Sequence, residues 1–395
     1  MSQGSGRRCN PPFLTEPPGA FCIGRTPLHH SGWTRSGFPG SLYAIGLVLK
    51  NLHPILLALL VAGLGGFTFR LLNLPLPWLL GAMVFTTLAA MRGLPIKAPL
   101  RLRPTTMVVL GLMLGSGFKP EILDNLAEWT LSLSLIGAYL AVVTVVIVPY
   151  YRRIAGLDRT TSIFCALPGG ITELTLMGRE FGGDDRQIAL AHASRILIVV
   201  CLVALWAWMF LDVSAGGAMT PAAGLLNSTL SDLALLMIAG GAGLCIARLI
   251  RFPTPDLLGP MLLSAALHIT DLVVNSPPVE IVILAQVLLG TFIGCRFTGM
   301  APIVVLRALA FGAGASVLML GITIGFATVL HTTFAQSLAA VAIAYAPGGF
   351  TEMSLIALAL DEDVAYVASH HIVRFALVAT FTPLFFRVLM RLGTR

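Results

Sequence analysis

The sequence predicts an all-α polytopic membrane protein made of two inverted repeats, each with about five transmembrane helices and one re-entrant Pro-Gly-Gly hairpin. Three observations lead there. The chain has too few charges for a water-soluble core of its length, its motifs recur at one fixed offset, and its lysines and arginines are unevenly shared among the loops. Of 395 residues, 56% are apolar and 11% charged, and the mean hydropathy is +0.89. A soluble globular chain carries about 25% charged residues, so the surface that lacks charge is expected to face lipid.

Apolar runs long enough to cross a hydrocarbon core of about 30 Å occupy 52–72, 76–91, 104–118, 130–150, 186–211, 230–247, 255–274, 280–295, 303–328 and 364–386. Two further runs, 160–178 and 335–360, are broken by Pro-Gly-Gly. Residues 1–41 are rich in Gly, Pro, Ser, Arg and His without periodicity, and read as a disordered or non-native N-terminal extension. No apolar core follows a charged start there, so they are not read as a secretory signal. A formal charge of +7 would suit a nucleic-acid surface if it were clustered. Here the basic residues are scattered through short loops between apolar runs, so they read as topology signals, and no nucleic-acid partner is expected. The cysteines at 9, 22, 165, 201, 245 and 295 show no CxxC or zinc spacing, and no metal or cofactor is expected.

The repeat is visible in the letters. Leu74-Pro-Leu-Pro-Trp-Leu-Leu-Gly-Ala-Met83 recurs as Phe252-Pro-Thr-Pro-Asp-Leu-Leu-Gly-Pro-Met261, 178 residues on. Pro168-Gly-Gly-Ile-Thr-Glu173 recurs as Pro347-Gly-Gly-Phe-Thr-Glu352, 179 residues on. At that second offset Asp184 meets Asp363, His192 meets His371, Arg195 meets Arg374, and Gly111 and Gly115 meet Gly290 and Gly294. A near-constant offset over separated blocks points to duplication. The first membrane repeat is placed at 42–212, a Gly/Ala/Pro/Ser linker at 213–229 and the second repeat at 230–395.

Charge decides how the halves are oriented. From residue 50 onward there are 21 Lys and Arg, of which Arg195 and Arg374 sit mid-span, leaving 19 in loops. If each Pro-Gly-Gly run crossed the membrane, the halves would be parallel and the loop charges would divide 11 inside to 8 outside. If each run dips in and returns, the second half is inverted and the division is 17 to 2, with only Arg70 and Lys119 outside. Basic residues in short loops favour the cytoplasm, so the re-entrant, inverted arrangement is preferred, with a cytoplasmic C-terminus. The arms fit: Thr160–Leu167 and Ile171–Gly178 are eight residues each, about 12 Å of helix, close to half a membrane. Proline removes an amide donor and paired glycines relax the backbone, which lets the chain reverse at the tip.

Candidate chemistry gathers around these hairpins. Asp184 and Asp363 open the following spans and read as helix caps, with Gln187 at the capping-box position in the first copy. Arg195 and Arg374 lie eleven residues further in, roughly 16 Å deep, with His192 and His371 one turn before them on the same face. A guanidinium at mid-membrane costs at least ~2.5–3.5 kcal/mol and needs a partner or a wet cavity. Two readings stand. Glu173 and Glu352 pair with the arginines and pin hairpin to helix, or the arginines bind an anionic substrate while Glu173, Glu352, His192 or His371 carries a coupling proton. Thr172 and Thr351, with the free amides that come after Pro168-Gly169-Gly170 and Pro347-Gly348-Gly349, resemble half-helix N-termini, which favour carboxylate or phosphate. Pro75, Pro77, Pro253 and Pro255 read as helix starts or kinks. His370 and His371 are adjacent and point about 100° apart, a poor pair of metal ligands.

With both Pro-Gly-Gly-x-Thr-Glu motifs followed by Asp and His-x-x-Arg, the chain over about 45–395 resembles the bacterial AbrB membrane-protein family. Members are often labelled as an ammonia monooxygenase or an AbrB-type regulator. The resemblance implies the repeat architecture and a multi-pass place in the bacterial inner (plasma) membrane. The leading functional expectation is a secondary transporter of a small anionic solute, using a midplane site between inverted repeats. A membrane monooxygenase and a membrane-bound regulator acting through a partner are the rival readings. Lipid and solute are the expected partners, and self-association is left open.

Overall fold

A computed structural model describes residues 40–118, 122–210, 224–225, 229–252, 254–334 and 337–393. Nearly all of the extension expected at 1–41, and most of the linker expected at 213–229, lie outside the described residues. The chain divides into two units, Met1–Leu47 and Val48–Arg395. Of the first, only the opening turns of one helix are described; every later helix belongs to the second.

The described residues are all-helical and form a multi-pass membrane protein. The helices are α1 (Gly40–Leu71), α2 (Pro77–Met91), α3 (Arg103–Gly115), α4 (Ile122–Arg153), α5 (Arg159–Ala166), α6 (Ile171–Glu180) and α7 (Asp185–Phe210). They continue as α8 (Leu230–Leu249), α9 (Pro255–Ile269), α10 (Val279–Gly294), α11 (Pro302–Phe334), α12 (Leu338–Tyr345), α13 (Phe350–Ala359) and α14 (Val364–Gly393). Among the described residues seven are long and apolar enough to cross a membrane, namely α1, α4, α7, α8, α10, α11 and α14. The runs expected to span at 76–91, 104–118 and 255–274 form shorter helices of 15, 13 and 15 residues, about 20–23 Å long. Their starts are set by proline in the first turn. Before α2 and α9 the chain turns through left-handed residues, Leu76 at φ 44° and Thr254 at φ 45°.

These short helices pack at backbone distance because glycine stands where they meet. A methyl on Gly81 of α2 would strike the backbone of Gly65 on α1, and one on Gly259 of α9 would strike Gly243 on α8. The next contacts exchange partners between the two halves of the sequence: α3 packs on α9 and α2 on α10. A Cβ on Gly290 of α10 would stand 2.6 Å from the Leu79 carbonyl oxygen, and one on Gly111 of α3 would strike the Leu257 carbonyl. Without water to drive helices together in lipid, such small-residue seams allow the close van der Waals contact that holds them.

Each Pro-Gly-Gly segment is a closed hairpin. Asp158 caps α5 by accepting from Thr161 N at 3.0 Å. After α6 the chain is back at the same place, where Asp184 N donates to Thr161 Oγ1 at 2.9 Å. In the second hairpin Ser337, at the start of α12, donates from Oγ to Glu362 Oε1 at 2.7 Å, just past α13. Both arms therefore begin and end together. Behind the first hairpin lies α7 and behind the second α14, while α7 packs along α11 and α14 along α4.

Candidate functional site

At each hairpin tip the first arm ends and the second begins, so a helix C-terminus and a helix N-terminus stand side by side. The last carbonyls of an α-helix have no partner within it and carry its negative end. Here they accept from the buried basic side chains of the helix behind. Arg195 Nη1 donates to Leu167 O at 3.1 Å and His192 Nε2 to Phe164 O at 3.0 Å. At the second tip Arg374 Nη1 donates to Ala346 O at 2.7 Å and His371 Nε2 to Ile343 O at 3.2 Å. All four side chains are buried. The offset of 179 thus carries geometry as well as letters.

The glutamates sit on the other helix end. Glu352 lies in the first turn of α13, and a methyl on Gly349 would land on its carboxylate, which is folded back over the helix start. A methyl on Gly170 would likewise land on Glu173 Oε2, and on Phe375 of α14. The expected Glu173–Arg195 and Glu352–Arg374 pairs do not form; among the described residues the cations nearest in charge to Glu352 are Arg296 and Arg103. Each charge neutralises the helix end of opposite sign instead. The glycines also act differently from expectation. Gly170 at φ −66° and Gly349 at φ −75° lie in ordinary extended backbone, so what they supply is room for the glutamate to fold back.

The two tips differ. Arg374 also donates from Nη2 to Gly348 O at 3.2 Å and to His371 Nδ1 at 2.8 Å. At the first tip Arg195 Nε and His192 Nδ1 are buried without a hydrogen-bond partner. Glu173 is half-buried and Thr172 exposed, whereas Glu352 and Thr351 are buried. Pro168 and Pro347 are buried at the turns. Tyr139 of α4, fully buried, shares a hydrogen bond with Thr323 Oγ1 on α11 at 3.1 Å and lies in the field of both guanidiniums.

Asp184 and Asp363 are caps, the first holding Gln187 N at 3.0 Å and Gln187 Nε2 at 2.7 Å, the second Tyr366 N at 3.0 Å. His370 turns away from His371 to bond Ser132 Oγ at 2.7 Å. Sequence reasoning missed Tyr139 and the Ser132–Tyr366–His370 cluster. A tyrosine or serine inside an apolar run is the faint signal each leaves, and only the packing of α4 on α14 gives it meaning.

Fold and tips together define a polytopic helical membrane protein with a buried arginine at each of two Pro-Gly-Gly turns. The profile of the family described as "Transition state regulatory protein AbrB" matches residues 78–390, and the chain belongs to that family. It is similar to "Uncharacterized protein YhjN" of Bacillus subtilis (strain 168), 24% identical over 87% of this chain and 95% of that one. It is also similar to "Putative regulator AbrB" of Escherichia coli (strain K12), 26% identical over 78% of this chain and 88% of that one.

Proposed function

We propose that this chain is a secondary transporter of a small anionic solute. In this reading residues 42–212 and 230–395 are duplicated, inverted repeats in the bacterial plasma membrane, with the C-terminus cytoplasmic. The solute is held between the hairpin tips, by Arg195 and Arg374 and the turns Pro168–Glu173 and Pro347–Glu352. The observation that carries the reading is the Arg195 Nε donor, on a side chain 1% exposed and without a partner. A buried guanidinium with a free donor is relieved by an anion beside it. Arg374, held by two carbonyls and His371, positions its hairpin, while Arg195 keeps donor capacity for the solute. Of the proton-coupling candidates, His192 has an open Nδ1 and His371 has not; Glu173 and Glu352 would couple only by leaving their helix ends. Because both arginines are enclosed, access requires a hairpin to move relative to the helix behind it.

The test is uptake by proteoliposomes of a panel of small mono- and dicarboxylates and inorganic phosphate. Wild-type protein is expected to accumulate at least one of them, and Arg195→Gln to cut that flux about tenfold or more while remaining folded. Flux of none of the panel, or flux unchanged in the variant, removes the reading. The names of the family and of the Escherichia coli relative speak of regulation, which favours a membrane regulator as the second reading. It predicts a solute-dependent association with a soluble protein and no flux.

A further inference from the structure

One polar cleft is lined by none of the hairpin-tip residues. It encloses about 420 Å³ and opens where the end of α4, the start of α7 and the start of α11 meet. Arg186 and Arg307 stand at its exposed mouth, Leu190, Ala191 and Ala308 form an apolar wall, and Tyr151 closes its inner end. The volume is within the range of small-molecule sites, which combine apolar walls with a few polar groups. Asp184, the acid on its rim, is already engaged with Gln187. Among the described residues neither guanidinium is in an ion pair, and with Asp184 counted the lining keeps a net positive charge.

Two independent observations mark the cleft as a site rather than a packing defect. Tyr151 is 2% exposed, and its hydroxyl has no hydrogen-bond partner. A buried unpaired hydroxyl costs on the order of 1–3 kcal/mol, so its persistence points to a ligand atom that completes it. The second is the equivalent place in the other half of the sequence. At the offset of 179, Phe311, Gln187 and Ala191 correspond to Ser132, Tyr366 and His370. There Ser132 Oγ lies 2.7 Å from Tyr366 OH and 2.7 Å from His370 Nε2, and Tyr345 OH donates to Ser132 O. All four residues are buried. One copy of the space is filled and self-satisfied, while the other is open, basic at the mouth and unsatisfied at its floor.

We propose that this cleft binds an organic anion bearing a carboxylate or phosphate on an apolar body, with Arg186 and Arg307 holding the charge. The body lies along Leu190, Ala191 and Ala308, and the Tyr151 hydroxyl, sealed behind the inner wall in the unliganded protein, supplies the innermost polar contact once that wall yields to the ligand. The site is distinct from the arginine pair at the tips and does not depend on the transport reading. The same chemistry is offered by a soluble amphiphilic anion and by an anionic lipid headgroup, whose acyl chains would continue into the bilayer.

The test uses the full chain, delipidated in a nonionic detergent, and measures thermal stabilisation by octanoate, hexyl phosphate, inorganic phosphate and phosphatidylglycerol. Hexyl phosphate and octanoate are expected to raise Tm in a saturable way, and inorganic phosphate much less. The Arg186→Gln/Arg307→Gln double variant is expected to weaken their binding about tenfold or more. Tyr151→Phe should weaken it severalfold while raising the unliganded Tm, because it removes a buried hydroxyl that has no partner. Ala308→Trp should abolish binding by filling the cleft. Arg195→Gln should leave it intact, which separates this site from the tip. Stabilisation by phosphatidylglycerol alone, lost in the double variant, identifies the occupant as lipid and upholds the site. No stabilisation by any probe, or stabilisation indifferent to the double variant and to Ala308→Trp, overturns it.

Discussion

Arg374 donates from Nη2 to Nδ1 of His371 at 2.8 Å, across one turn of α14. The equivalent pair on α7, Arg195 and His192, leaves Nε and Nδ1 unpartnered. The same residues at the same offset therefore do different work, one pair locking a hairpin and the other keeping valences free.

Stability should register that difference. Hydrogen bonds to charged groups contribute about 1.5–3 kcal/mol, and Arg374 makes three where Arg195 has one to Leu167. Arg374→Gln is expected to lower Tm by several degrees more than Arg195→Gln, measured by thermal unfolding in detergent. Equal shifts would remove the division of labour.

Gly349 and Glu352 should behave as one unit. A methyl at 349 evicts the carboxylate from the start of α13, so Gly349→Ala and Glu352→Ala remove the same interaction. Each is expected to cost about 1 kcal/mol, the usual value of a lost helix cap. The double variant should cost little more than either, where independent sites would add. Additive Tm losses would contradict the folded-back glutamate.

The crossings of α3 with α9 and α2 with α10 rest on glycine. Gly111→Leu or Gly290→Leu drives a side chain into the Leu257 or Leu79 backbone and is expected to cost about 3 kcal/mol or more. Gly241 on α8 has open space where its Cβ would be, so Gly241→Leu should stay within about 0.5 kcal/mol of wild type. Fluorescence-detected size exclusion after heating ranks the three.

The base of the second hairpin is sensitive to pH. Burial holds the Glu362 carboxyl above its ordinary value of 4.5, against the bond from Ser337 and with the help of Asp361 and Asp363. A raised pKa means that the fold favours the protonated form. That stabilisation is complete below about 4.5 and is lost as pH rises through the raised value. Glu362→Gln keeps the Ser337 contact without the charge. It should exceed wild type in Tm at about pH 7, with the gap closing on acidification toward pH 4.5. A gap that widens on acidification would reverse the sign.

Much of the framework was legible because it is written in local pattern. The two Pro-Gly-Gly hairpins, the Asp184 and Asp363 caps, the buried His-x-x-Arg pairs and the family itself come from spacing and letter identity. What was not legible depends on contacts between distant segments. Mean apolarity over 76–91, 104–118 and 255–274 says nothing of helices shortened by proline and left-handed turns. The arginines found carbonyls and not glutamates because a hairpin tip offers a helix end of each sign, and sequence spacing does not show which end faces which charge. The cleft beside Tyr151 needs α4, α7 and α11 side by side before it exists at all.

Opposed insertion of the two hairpins is tested most directly by single cysteines in an otherwise cysteine-free chain. Glu180→Cys reports the base of the first hairpin, and Thr333→Cys the end of α11 leading into the second; both positions are exposed. With a membrane-impermeant maleimide, the cysteine at 180 is expected to react only after the cells are opened, and the one at 333 already in intact cells. Reaction of both from the same face would mean that the halves are parallel, and the shared site between their tips would fall with the inversion.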